Sequence, residues 1–292
     1  MDLKTYLAER KEIVDIALTK SLADPFIPAR LREAMEYSLK AGGKRIRPIL
    51  VIAGAEAIGK AAAEVMEIAC ALEIIHTFSL VHDDLPAMDD DDLRRGLPTN
   101  HKKFGEATAI LAGDALLAEA FWLLTKKPAA NAQVQLQIIN DIATATGGRG
   151  MTGGQQIDID ASGKKISLEH LNQLHKMKTG CLLTVAATSG AKYCGATAQQ
   201  IQALENYGQA IGLAFQIADD ILDIEGNQQE LGKDIGSDLE NEKATYPSLL
   251  GLDKSKIRAQ SLVNEAIAEL EIFGDRAEPL KEIARYIVER RS

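Results

Sequence analysis

The chain is short of cysteine, of positive charge and of unbroken apolar runs, and each shortage excludes a class of protein. Cys70, Cys181 and Cys194 are odd in number, well separated and without a CxxC pair, which argues against a disulfide framework or a zinc cage and for a reducing cytoplasm. A formal net charge of −9 argues against a nucleic-acid-binding surface and fits acids reserved for a divalent metal. The opening residues, MDLKTYLAERKE, hold no apolar signal core, and no apolar run approaches the roughly 20 residues of a membrane span. Strand-type alternation, low-complexity linkers and solenoid periods are also missing. What remains is 292 residues, 46% hydrophobic and 26% charged, ample for a large core. The expectation is a soluble all-α protein, with roughly ten long helices in a single domain over residues 1–292.

The periodicity predicts long helices over Ala61–Leu85 and Thr197–Ile224, and another over Ser167–Ser189. On the first, Val65, Ile68, Leu72, Ile75, Ser79 and His82 repeat at the 3-4 spacing of a buried stripe. That stripe runs into HTFSLVHDDLPAMDDDDLRRG, residues His76–Gly96, which gathers six aspartates, two histidines and two adjacent arginines. His76 and Asp83 are seven residues apart, nearly two turns, and so share one face. Asp89 cannot share it by regular winding, and Pro86 disfavours a regular helix through Leu85, so Asp89 must reach back from a turn. Acids that continue an apolar stripe are costly without a cation, which makes Asp83, Asp84 and Asp89 candidate metal ligands. Asp90, Asp91 and Asp92 read as solvated surface or as screens for the neighbouring arginines.

Two other stretches bear on the same chemistry. AGGKRIRPIL places Lys44, Arg45 and Arg47 after a glycine pair at a helix start, where amide groups and planar guanidinium forks suit phosphate oxygens. Arg94 and Arg95 form a second basic pair just beyond the acids, and metal-binding acids beside phosphate-binding bases imply a polyphosphate substrate. FQIADDILDIEG repeats the acidic theme late in the chain, with Gln216, Asp220 and Asp223 on one face and Asp219 and Asp223 spaced i,i+4. Gly208 and Gly212 extend that row, which suits close helix packing and a substrate channel equally. Lys233 and Asp234 lie in the loop that follows and could close over the site.

Taken together, GGKRIRP, HDDLPAMD, RRG, the GGQ of Gly153–Gln155, the KTG of Lys178–Gly180, FQIADDILD, LGKD and KATYP resemble the trans-isoprenyl diphosphate synthases over almost the whole chain, most closely the short-chain bacterial farnesyl diphosphate synthases. The resemblance implies an all-α barrel of antiparallel helices around a central cavity, with the two aspartate motifs facing each other across it. It implies Mg²⁺, three ions per site with Mn²⁺ able to substitute, held by Asp83, Asp84, Asp89, Asp219, Asp220 and Asp223. Arg94, Lys178 and Lys233 would add positive charge around the allylic diphosphate. Lys44, Arg47, His76 and Arg95 would bind the diphosphate of isopentenyl diphosphate. The side chains of Thr179 and Gln216 and the carbonyl of Lys178 would face an allylic cation. A homodimer is also implied.

In this family the residues before the first motif set the pocket floor, and Phe78 and Ser79 lie about 6–8 Å of helix rise before Asp83. The bulk of Phe78 favours the C15 product, farnesyl diphosphate. The DDxxxxD spacing also occurs in bacterial geranylgeranyl diphosphate synthases, which makes that enzyme the alternative. A terpene cyclase would have no use for a second diphosphate site, and a non-catalytic partner subunit would be expected to lose one acidic motif.

Overall fold

The computed structural model describes residues 1–129, 131–225 and 244–289. The chain is helical almost throughout: α1 Leu3–Ser21, α2 Ala29–Lys40, α3 Ile46–Ala57, α4 Met66–Asp83, α5 Asn100–Phe104, α6 Glu106–Lys126, α7 Ala132–Thr146, α8 Met151–Ala161, α9 Leu168–His175, α10 Cys181–Tyr193 and α11 Ala198–Glu225. Helices at Tyr246–Leu250, Leu252–Glu269 and Glu278–Glu289 follow. The periodic segments are all helices, with boundaries shifted by a few residues at their ends, as fraying and capping dictate.

The core is built where the periodicity placed it. Along α4, Ile68, Leu72 and Ile75 are 3% exposed or less, and the helix packs against α3 on one side and α6 on another. α10 is buried between α3, α7 and α11. The α10–α11 crossing settles the meaning of the glycine row. A Cβ on Gly208 would stand 2.6 Å from Cα of Thr184, and one on Gly212 2.7 Å from Cα of Gly180, so these glycines permit close helix packing and leave no channel.

Three features lay outside the periodic reading. Met151–Ala161 is helical although it is rich in glycine and acids. Leu93–Arg94 pairs with Leu97–Pro98 in a two-residue antiparallel hairpin, too short to register as strand alternation. The helix expected over Ser167–Ser189 is interrupted at Lys176–Gly180 by one turn of π-helix, a local insertion often found at functional sites. α6 is long and apolar enough to cross a membrane, yet it holds Glu106, Asp114, Glu119 and Lys126 and packs along α4. Its outer face leaves Ile110, Leu111 and Trp122 exposed.

Candidate active site

The first acidic motif owes its shape to how α4 ends. Past Asp84 the chain folds into a turn in which the Asp89 amide donates to the Asp83 carbonyl at 2.9 Å and the Asp90 amide donates to the Leu85 carbonyl at 3.1 Å. Pro86 blocks further helix, and Asp90 takes a left-handed φ of 51°. Asp89 is thereby carried back to Asp83, as the spacing argument requires. The aspartates then divide. Asp84 is buried and accepts from Arg94 Nε at 2.5 Å, Asp91 accepts from Arg94 Nη2 at 3.0 Å, and Asp92 pairs with Lys102 at 2.6 Å. Asp83 is half-buried. Burial pushes its pKa up to about 6, reinforced by Asp89 and Asp84 and opposed by Lys178 and Arg94.

Arg94 and Arg95 are separated by the hairpin turn. Arg95 and Gly96 both have positive φ, 54° and 76°, the pattern of a type I′ turn. Arg94 therefore stays with the acids, while Arg95 swings to donate to the Gly42 carbonyl. Gly43, at φ +122°, leaves the space this needs, since a Cβ there would stand 2.6 Å from the Arg95 guanidinium.

The basic loop also divides. Arg45 caps α3 in a left-handed conformation (φ 53°) and turns inward. Its Nε donates to Asp15 at 2.8 Å, Nη1 to Glu73 at 2.8 Å and Nη2 to the Leu39 carbonyl at 2.6 Å. That fork is used up inside the protein, which corrects the expectation of a three-residue phosphate loop. Lys44 is exposed, 6.0 Å above the Tyr286 ring. Arg47 points into the fold with its buried Nε lacking a hydrogen-bond partner. Burial pushes its pKa down to about 10, with Arg95 adding to the fall and Glu73 and Asp219 opposing it. His76, half-buried on the same wall, is held well below the ordinary histidine range by burial and by Arg47, Arg95, Arg94 and Arg45 in turn. A neutral imidazole among guanidinium groups is a surrounding that suits an anion.

The second wall is assembled by the π turn. Lys178 Nζ donates to Asp158 at 2.5 Å; burial alone would lower its pKa, but Asp158, Asp83 and Asp89 outweigh that and raise it. Thr179 donates to Gln216 Oε1 at 2.7 Å, tying the turn to α11 just before the second acidic motif. On that motif Asp219 and Asp223 are half-buried, while Asp220 is buried and accepts the Tyr246 amide at 2.8 Å. Lys233 and Asp234 lie outside the described residues. Phe78 is buried and meets the His82 ring edge to face at 5.3 Å, and Ser79 bonds back to the His76 carbonyl.

The chain matches the polyprenyl synthetase family over residues 28–284. It belongs to that family. It is 49% identical to the farnesyl diphosphate synthase of Geobacillus stearothermophilus, over 88% of this chain and 87% of that one. It is also 49% identical to the geranylgeranyl diphosphate synthase of Cyanophora paradoxa, over 99% and 97%. Among solved structures it is similar to an FPP/GFPP synthase from Zymomonas mobilis, with a TM-score of 0.88 and 41% identity, covering 98% of this chain and 99% of that one. The fold is therefore the all-α fold of the polyprenyl synthetases.

Reading this family's sequence motifs one at a time missed the partners that hold them. Asp158 carries no motif signature beyond standing three residues after GGQ, yet it fixes Lys178. Glu73 and Asp15 anchor Arg45 from other helices, and Tyr246, in KATYP, presents its amide to Asp220. Among the described residues no three acid, histidine or cysteine side chains converge into a ready-made metal cage.

Proposed function

We propose that this polyprenyl synthetase is a metal-dependent farnesyl diphosphate synthase: it condenses isopentenyl diphosphate with dimethylallyl and then geranyl diphosphate, within one domain spanning residues 1–292. The observation that carries the reading is the anion-hungry wall formed by Arg47, with its unpartnered buried Nε, and a neutral His76 surrounded by arginines. A diphosphate bound there, beside but separate from the acids, demands two phosphorylated substrates. A terpene cyclase takes one, and a non-catalytic subunit would be expected to lose one acidic motif, whereas both are present in this chain.

The oxygen donors of Asp83, Asp84 and Asp89 on one wall and Asp219, Asp220 and Asp223 on the other fit Mg²⁺, three ions per site, with Mn²⁺ as a substitute. Asp83, raised by burial and by its neighbours Asp89 and Asp84, is a carboxylate whose charge a cation would stabilise. When bound, the ions act as Lewis acids that stabilise the departing diphosphate. This chain's own residues do the rest. Arg94, Lys178 and Lys233 hold the allylic diphosphate, and Lys44, Arg47, His76 and Arg95 hold that of isopentenyl diphosphate. The allylic C–O bond breaks with its electron pair going to pyrophosphate, and the homoallylic double bond attacks the cation that remains. Loss of a proton to the released pyrophosphate completes the step, so no side-chain base is needed. Thr179 and Gln216, already joined at 2.7 Å, present oxygen to the cation, and the Lys178 carbonyl joins them.

Phe78 and Ser79 set the pocket floor, which favours C15 over the C20 product named for the Cyanophora relative. The enzyme is cytoplasmic and a homodimer. The apolar face of α6, with Ile110, Leu111 and Trp122 exposed, supports a second copy packing there. The decisive assay is incubation with Mg²⁺ and both substrates, followed by chromatography of the dephosphorylated products. Farnesol should appear only when both substrates are present, whereas consumption of an allylic diphosphate alone would mean a cyclase.

A further inference from the structure

His175 has no part in the scheme above, yet it is the least satisfied buried group near the second motif. It is 5% exposed at the end of α9, three residues before Lys178, and neither ring nitrogen has a hydrogen-bond partner. Its Nε2 stands 3.6 Å from Oδ2 of Asp220, just beyond hydrogen-bond range. That same oxygen accepts the Tyr246 amide at 2.8 Å. The Tyr246 ring stacks on the imidazole with centroids 5.9 Å apart and planes at 15°, and its hydroxyl donates to Asn172, one turn before His175 on α9. Asn172, His175, Tyr246 and Asp220 thus form a closed cluster that joins three segments: α9 leading into the π turn, α11, and the Tyr246–Leu250 helix.

The arrangement has a direction. Asp220 is the buried acid of its motif, at 6% exposure, and a carboxylate in that position needs donors to fix its rotamer. The Tyr246 amide supplies one. The imidazole is the adjacent side chain able to supply a second, and a small inward movement would turn a 3.6 Å approach into a charge-assisted bond. We propose that His175 is a positioning residue, whose Nε2–H orients the Asp220 carboxylate and holds α11 in register with the turn that carries Lys178 and Thr179. This rests on the metal role assigned to the second motif. Outer partners of metal-binding carboxylates act in this way, fixing ligand direction without touching the ion.

The test separates packing from hydrogen bonding. His175→Phe keeps a ring to stack on Tyr246 and removes the donor, while His175→Gln restores a donor at similar reach. Binding of Mn²⁺ in the presence of inorganic pyrophosphate, read from the EPR signal of free Mn²⁺, is expected to weaken by about 10–100-fold in His175→Phe and to recover in His175→Gln, with melting of the metal-free protein little changed. A merely structural histidine would move the melting and not the affinity. Wild-type protein that binds no Mn²⁺ would overturn the metal reading and this inference with it. Tight wild-type binding left unchanged by His175→Phe overturns the positioning role alone. If His175→Phe does not fold, Asn172→Ala decides instead. It frees the Tyr246 hydroxyl and should weaken Mn²⁺ binding in the same direction, so unchanged affinity there refutes the cluster.

Discussion

Replacing Asp83 by asparagine sets the cost of the site against its use. Burial raises the Asp83 pKa from 3.8 to about 6, so ionising it in the folded protein costs free energy that ionising it in the unfolded chain does not. A shift of roughly 2 units corresponds to ~3 kcal/mol at 1.36 kcal/mol per unit. The group keeps some contact with water, which reduces the figure to about 1–2 kcal/mol. The sign follows from linkage. A pKa raised by folding favours the fold below the unfolded value of 3.8, and that contribution is lost as pH rises through about 6. At pH 8 without metal, Asp83→Asn should therefore be more stable than the wild type, by about 2–8 °C in Tm at roughly 2–4 °C per kcal/mol. By pH 5 the advantage should fall to about half, because much of the wild-type group is then protonated in the fold. Adding Mg²⁺ with pyrophosphate should reverse the order, stabilising the wild type and leaving the variant where it was. Differential scanning calorimetry at the two pH values, with EDTA and then with Mg²⁺ and pyrophosphate, reads all of this. A variant less stable than wild type at pH 8 in EDTA, or one still stabilised by Mg²⁺ and pyrophosphate, would refute the reasoning.

Three further outcomes are expected. Phe78→Ala should lengthen the principal product from C15 toward C20, and unchanged farnesol in the product chromatogram would remove Phe78 from the pocket floor. Glu73→Ala leaves the 4%-exposed Arg45 charge without its 2.8 Å partner and should cost ~3–5 kcal/mol in urea unfolding; a loss below about 1 kcal/mol would show that Asp15 and the Leu39 carbonyl suffice. Leu111→Asp, on the exposed face of α6, should shift the mass measured by light scattering from dimer to monomer, and an unchanged dimer would place the interface elsewhere.

The division between what could be read along the chain and what could not follows the range of each interaction. Helix periodicity is local: the α4 stripe, the α11 stripe and the shared face of His76 and Asp83 depend only on 3.6 residues per turn, and the fold carries them as read. The return of Asp89 to Asp83 was equally legible, because Pro86 and a six-residue spacing leave few alternatives. Charge clusters were visible as well, but their division of labour was not. Arg45 and Arg47 stand two residues apart in one basic loop, yet one is spent on Asp15 and Glu73 from two other helices while the other keeps a buried, unpartnered Nε and helps to lower the His76 pKa.

By itself, the sequence determined the helical class, the two acidic motifs, the basic loop and the family, because these rest on local winding and on residue types at fixed spacing. Only the tertiary structure decided which charges are spent on buried partners, as Arg45 is on Asp15 and Glu73, and which are not, as with the Arg47 Nε. It also turned Gly208 and Gly212 into a helix crossing, broke the helix at Lys176–Gly180 to aim Lys178 and Thr179, and set His175 against Asp220. Those decisions depend on contacts between segments tens of residues apart, and neither composition nor spacing records such a distance.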